Sequence, residues 1–210
     1  MARAGAAPQP RQGGRTLEDL PLFPLHTVLF PGGRLPLRIF EQRYLEMAKA
    51  CLKDNAPFGV CLIQAGKEVG EPALPVDVGC LARLADWDMP QLGVLQVTAR
   101  GESRFRILGR RVQADGLVRG TIELLPEGGD APVPEAAARY VKLLERLIEQ
   151  HPALLEPPHR LDSSAWVSAR LAELLPLPLA AKQSLLELGD GRARLQQLDA
   201  LISAGPSTDS

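Results

Sequence analysis

The apolar positions of this chain change period three times along its length. Between residues 20 and 44 they fall in short clusters broken by prolines, LPLFPLHTVLFPGGRLPLRIFEQRY. Prolines at 21, 24, 31 and 36 remove backbone donors, which confines such strands to edges, strand starts or bulges. Pro31-Gly32-Gly33 supplies a turn, so the pattern predicts two short strands, over residues 22–30 and 34–39. Tyr44, Met47, Ala48, Cys51 and Leu52 then recur at helical spacing and predict a helix over residues 41–54. Glu41 suits the positive end of its dipole, and Asn55 ahead of Ala56-Pro57 suits its stop.

From residue 57 to 124 the period is mostly two. Residues 58–63 form a nearly unbroken apolar run, the mark of a strand covered on both faces. Further strands are predicted over 78–84, 93–99, 104–108 and 117–124, with a polar loop at 67–77 and a turn at Asp86-Trp87-Asp88-Met89-Pro90. Two glycines and two prolines make residues 126–132 the clearest break in the chain. Beyond it every segment is helical: one helix from Pro134 to about Gln150, one capped by Asp162-Ser163-Ser164 and stopped by Pro176, a short one over 178–188, and a last one capped by Asp190. Several short strands with a single early helix argue for a small closed or half-closed β-barrel, and four amphipathic helices on short loops for a bundle. The expected fold class is therefore α+β. The expected division is a disordered leader at 1–18, a barrel at 19–125, a linker at 126–133, a helical bundle at 134–204 and a tail at 205–210.

The residues of the first stretch also carry a resemblance. Pro21-Leu22-Phe23-Pro24-Leu25, Val28-Leu29-Phe30-Pro31-Gly32, Leu35-Pro36-Leu37, Ile39-Phe40-Glu41 and Arg43-Tyr44 together resemble the opening signature of the Lon protease N-terminal domain. Gly101 followed by Arg104-Phe105-Arg106-Ile107 resembles its second signature, although Arg100-Gly101-Glu102 stands where a Gly-Arg pair is usual. Ala165-Trp166-Val167, Leu174-Leu175-Pro176, Lys182 to Glu187 and Arg194-Leu195 extend the resemblance to roughly residues 20–204. It implies an N-terminal PUA-like pseudo-barrel followed by a C-terminal helical bundle, and a substrate-binding role that needs no cofactor and no ATP.

Composition narrows the chemistry. A formal net charge of −1 argues against a globally basic nucleic-acid binder. Cys51, Cys61 and Cys80 show no metal-ligand spacing and read as buried thiols of a reducing cytoplasm. No stretch approaches the ~20 apolar residues of a membrane span, so the expected location is cytoplasmic. Gly66-Lys67 has Cys61 where a phosphate-binding loop needs its first glycine and Glu68 where it needs Ser or Thr. Gly205-Pro206-Ser207 echoes a Lon-type serine motif in three residues but lacks its upstream context. His26, His151 and His159 share no metal-binding spacing. The expectation is a stand-alone, non-catalytic Lon-type domain, lacking ATPase and peptidase domains and carrying no metal site.

Two binding surfaces stand as candidates. The first strands and the helix at Glu41 offer Phe23, Leu25, Phe30, Phe40 and Tyr44 to exposed apolar segments of unfolded polypeptides, or to a protease or chaperone partner. The alternative is an RNA-binding module that uses a basic stripe of Arg100, Arg104, Arg106, Arg110 and Arg111, opposed nearby only by Glu102. The apolar residues also have a plain packing role, and a solvated strand face is the favoured account of the arginines. Oligomeric state and partner identity are not encoded in any motif of the chain.

Overall fold

Alternation over residues 94–112 builds one long strand, β5 (Val94–Val112), and the sheet is organised around it. The computed structural model describes residues 14–203. One side of β5 pairs antiparallel with β4 (Leu74–Gln91). Its other side pairs first with β2 (Arg34–Ile39) and then with β6 (Val118–Leu124). β6 runs antiparallel to β1 (Thr16–Leu25), and β1 runs parallel to β3 (Phe58–Ala65), which returns to β4. The circuit β1-β3-β4-β5-β6 closes, and β2 extends it beside the first half of β5.

A ring of this size needs its interior filled by side chains. Phe105, wholly buried, does this at one level with Leu22, Leu81 and Ile122. Gly59 and Gly79 make it possible, because a Cβ at either would fall 2.7 Å from the tip of the Phe105 ring. At the other level α1 (Gln42–Asp54) plugs the barrel with Tyr44, Met47, Ala48 and Cys51 against Phe23, Phe58 and Val60. Asn55, at φ 46°, takes the left-handed conformation that ends this helix, as its position predicts.

The C-terminal half is the expected bundle. A single 3-10 turn (Glu135–Ala137) leads into α2 (Ala138–Gln150), followed by α3 (Ser164–Leu174), α4 (Leu179–Glu187) and α5 (Gly191–Ser203). Ser163 caps α3 by accepting from the Trp166 amide at 3.1 Å, and Asp190 caps α5 by accepting from Ala193 at 2.8 Å. The apolar core of the bundle does not stop at its own helices. It runs on to Val28, Phe30 and Leu62 of the barrel.

Buried arginines line that junction. Arg104 is 2% exposed. Its guanidinium reaches Glu127 at 3.0 and 3.2 Å, the carbonyls of Leu186 and Glu187 at 3.2 Å and that of Pro126 at 2.6 Å. Arg170 of α3 donates to the Pro31 carbonyl at 2.9 Å, and Gln183 of α4 to that of Val78 at 3.0 Å. Residues 126–133 are accordingly pinned: Gly128 donates to the Gly189 carbonyl at 2.9 Å, and the Ala131 carbonyl accepts from Ser164.

Several sequence expectations change. Thr16 and Leu17, placed in the leader, pair with Glu123 and Ile122. Residues 14–18 are thus ordered, while residues 1–13 and the tail lie outside the described residues. β1 ends at Leu25 rather than Phe30, and residues 26–33 turn inward as a loop. Asp86 to Pro90 is not a turn but the outer part of β4, with both faces exposed. Such a strand shows no alternation, which is why its composition reads as a turn; the reversal comes at Leu92-Gly93, where Gly93 has φ 80°.

Arg104→Ala should destabilise the whole chain by about 3 kcal/mol, because it strands three carbonyls at the junction and leaves the half-exposed Glu127 unpaired. Arg106→Ala, on the exposed position two residues along, should change stability by less than ~0.5 kcal/mol. Urea unfolding of the two variants measures both, and a similar small loss for each would mean that the junction is not held by Arg104.

Candidate functional site

One concave surface adjoins the end of β2 and another its start. The first is a groove of about 250 Å³ between β2, the start of α1 and the loop that follows β3. Phe23 and Tyr44 stack at its base, ring centroids 4.1 Å apart, and Leu25 continues the apolar floor. Phe40 and Val69 stand on its rim, 52% and 53% exposed. Phe40 is exposed because it falls at the corner where β2 ends and α1 begins, with its neighbour Ile39 taking the inward position.

Glu41 and Glu68 give the groove an acidic edge. The Glu41 carboxylate accepts from Arg43 at 2.9 Å and from the Gly70 amide at 3.4 Å, and Glu68 accepts from the His26 amide, so the loop is tied to the barrel from both ends. Burial pushes the Tyr44 phenol upward, against the pull of Arg43 and with the help of both carboxylates. The tyrosine is neutral at physiological pH and offers a hydroxyl on an otherwise apolar floor.

Four of the five apolar candidates thus meet in one groove: Phe23, Leu25, Phe40 and Tyr44. Phe30 does not join them. It is wholly buried in the junction of barrel and bundle, under the Arg194 guanidinium at 5.8 Å from its ring centroid. Sequence reasoning placed it with the others because the loop carrying it reads as a strand.

The second concavity is a cleft of about 430 Å³ between barrel and bundle, roofed by residues 154–158. Leu29, Leu35, Leu155, Trp166 and Leu174 contribute apolar walls, and Arg34, Arg100, Arg170, Glu156, Glu173 and Lys182 the charge. Glu173 is the unusual member. It pairs with Arg170 at 3.0 Å and accepts from the Phe30 amide at 3.4 Å, and a Cβ on Gly33 would overlap it. Burial still pushes its carboxyl up to about 7, against the opposing effects of Arg170, the Phe30 amide and Lys182. Nothing in the sequence marked this cleft, because its residues come from β2, β5, α3, α4 and the loop after α2, and only the fold joins them.

The basic stripe is dispersed in the same way. Arg104 lies in the junction, with Glu127 as its partner. Arg100 pairs with Glu156, Arg110 with Asp77 at 3.3 Å and Arg111 with Asp19 at 2.5 Å. Alternation correctly puts Arg104 and Arg106 on one strand face, but the bundle covers the first and leaves the second in solvent. Glu102, the acid expected to oppose the stripe, pairs instead with Arg83 at 2.6 Å. The three cysteines are buried and free, and burial raises the thiols of Cys61 and Cys80 far above their ordinary range. Among the described residues no group of His, Cys, Asp and Glu is arranged to hold a metal ion, and no helix is long and apolar enough to cross a membrane.

The family described as the ATP-dependent protease La (LON) substrate-binding domain matches residues 19–203. The chain belongs to that family. It is 28% identical to the Lon protease of Anaeromyxobacter dehalogenans, an alignment covering 96% of this chain and 26% of that protein. It is 27% identical over 124 residues to protein cereblon of Gallus gallus, covering 54% of this chain and 27% of that one. The chain therefore spans about a quarter of the length of these curated relatives. Among solved structures, the Lon N-terminal domain protein from Xanthomonas campestris matches with a TM-score of 0.74 and 38% identity over 88% of this chain and 98% of that one. The N-terminal domain of Mycobacterium avium complex Lon protease shares the fold, with a TM-score of 0.61 at 18% identity. The Lon-type architecture of barrel and helical bundle expected from the sequence is thus the fold of this chain.

The raised carboxyl of Glu173 sets a sign for the response to pH. Its native form keeps a proton that the unfolded chain has lost, so its contribution to stability is present below pH 4.5 and falls away as the pH rises through about 7. Relative to wild type, Glu173→Gln should gain stability across that window, by about 2–3 kcal/mol at most, and level off above it. Urea titrations at pH steps from acid to neutral measure the difference, and one that does not vary with pH would contradict the burial.

Proposed function

We propose that the chain is a non-catalytic polypeptide-binding domain that recognises exposed apolar segments through the groove beside Phe40. The observation that carries this reading is the pairing of an exposed aromatic rim, Phe40 and Val69, with a buried aromatic floor, Phe23 and Tyr44, on a family member whose name specifies substrate binding. A large apolar side chain can leave water there without displacing any packed residue. Delivery of the captured segment to a proteolytic or chaperone partner completes the reading, with the cytoplasm as its setting.

The energetics favour a weak and general interaction. Burying roughly 300 Å² of apolar surface yields about 7 kcal/mol at ~25 cal/mol per Å². Ordering a flexible segment and losing its free motion consume much of that, which leaves affinities of micromolar or weaker. Such affinities suit a domain that samples many unfolded chains. No step of this function needs ATP or a nucleophile, in keeping with a sequence that has neither a phosphate-binding loop nor a serine-lysine pair.

Phe40→Ala should weaken binding of a labelled, chemically unfolded polypeptide about tenfold, the value of one well-placed aromatic contact. Because Phe40 is half exposed, the melting temperature should hardly move. Binding should also respond little to salt, whereas a single-stranded RNA held by arginines would lose affinity steeply. Fluorescence anisotropy with both probes across a salt series decides the matter. Polypeptide binding unchanged by Phe40→Ala, or RNA binding that is steep in salt and lost on replacing Arg106, Arg110 and Arg111, would overturn the reading.

A further inference from the structure

We propose that the cleft between barrel and bundle holds a carboxylate-binding site, built from Arg34 and Arg100 and occupied here by the chain's own Glu156. Arg34 and Arg100 are direct cross-strand partners in the ladder of β2 and β5. Arg83 stands opposite Arg100 on the far side, in the ladder with β4. Like charges placed directly opposite across a sheet repel. Anions laid against a row of three such residues relieve that repulsion.

Carboxylates supply them. Glu102 neutralises Arg83 at 2.6 Å and Asp86 approaches Arg34 at 3.2 Å, both from the sheet itself. Glu156 differs from these two. It comes from the loop between α2 and α3, and its two oxygens divide between Arg34 and Arg100, the latter at 3.3 Å. A carboxylate placed between two guanidinium groups is a charge-assisted contact with both. Yet Glu156 is half exposed, on a segment that no strand or helix holds. An external carboxylate reaching the same two arginines would exchange with it without breaking the fold.

The surroundings select which carboxylate. Leu35, Leu155 and Trp166 line the cleft beside the arginines, so an anion attached to apolar groups fits where a hydrated sugar-phosphate chain does not. The inner charges are already committed, Arg170 to Glu173 and Lys182 to the Glu173 carbonyl at 2.8 Å. The ligand chemistry is thus a carboxylate on an apolar polypeptide segment, either the terminal carboxylate or an acidic side chain. The assignment rests on the reading that the chain binds polypeptide, but it uses a site separate from the Phe40 groove.

Three versions of one short, labelled, acetylated apolar peptide test it: a C-terminal amide, the free acid, and an amide with a glutamate near its end. The free acid or the glutamate peptide should bind about tenfold more tightly than the plain amide, and which of them does so identifies the source of the carboxylate. Arg100→Gln should erase that advantage, and Glu156→Gln, which vacates the site, should enlarge it about threefold. Arg100 is largely exposed, so the variant should fold, and the Glu156 variant gives an independent reading if it does not. Equal binding of the three peptides to wild type, or an advantage indifferent to Glu156→Gln, would overturn the proposal, as would single-stranded RNA binding that depends on Arg100. A carboxylate advantage that survives Phe40→Ala alongside a plain amide that fails to bind wild type would remove the groove reading and leave this one standing.

Discussion

Arg104 is the contact on which the two halves of the molecule depend. An arginine at 2% exposure pays a desolvation cost of several kcal/mol and returns it only through full hydrogen bonding. Here the fork is satisfied by three carbonyls and one carboxylate, and these come from the linker and from the end of α4. The strand that carries Arg104 belongs to the barrel, so this side chain ties barrel, linker and bundle together, beside the contacts of Arg170 with Pro31 and Gln183 with Val78. The cleft exists because of that fixation. Its walls, Leu35 on one side and Trp166 and Leu174 on the other, belong to different halves of the chain.

Much of this was legible in sequence wherever one residue's periodicity reports one buried face. The α1 stripe of Tyr44, Met47, Ala48, Cys51 and Leu52 predicted a helix with its apolar face inward; the first four are buried, Leu52 is half-buried, and Arg43 and Leu45 are buried as well. Ser163 and Asp190 announced two helix starts through side chains that can do little else in that position. Phe23, Leu25, Phe40 and Tyr44 share one groove because the chain reverses twice within a few residues and brings them together locally.

What escaped was decided by the second half of the chain lying on the first. Arg104 and Arg106 have the same local pattern and opposite environments, since alternation identifies the outer face of a strand but not what is laid over it. Phe30 looks like a surface aromatic of the first strands until the bundle core is added around it. The arginines of the stripe seemed unopposed because their acids lie far away in sequence, Asp19 for Arg111 and Asp77 for Arg110. Charge balance is a property of the folded surface, and a linear reading of charge sees only neighbours.

Strand β2 links the two concavities. Arg34 and Leu35, at its start, line the cleft, while Leu37 and Ile39, towards its end, line the groove. With a rise of about 3.3 Å per residue, the strand sets Arg34 and Ile39 roughly 17 Å apart. Pro36 lacks an amide hydrogen in the middle of that span, as suits a strand at a sheet edge. In the proposed readings, recognition comes from side chains at the two ends of that strand. A segment that placed an apolar side chain in the groove and a carboxylate at Arg34 and Arg100 would engage two weak sites through one short tether, and its affinity would exceed either alone by effective concentration. Because both ends of that span lie on one strand of the barrel, the spacing is set by the fold, and segments with the wrong separation would gain only one of the two contacts.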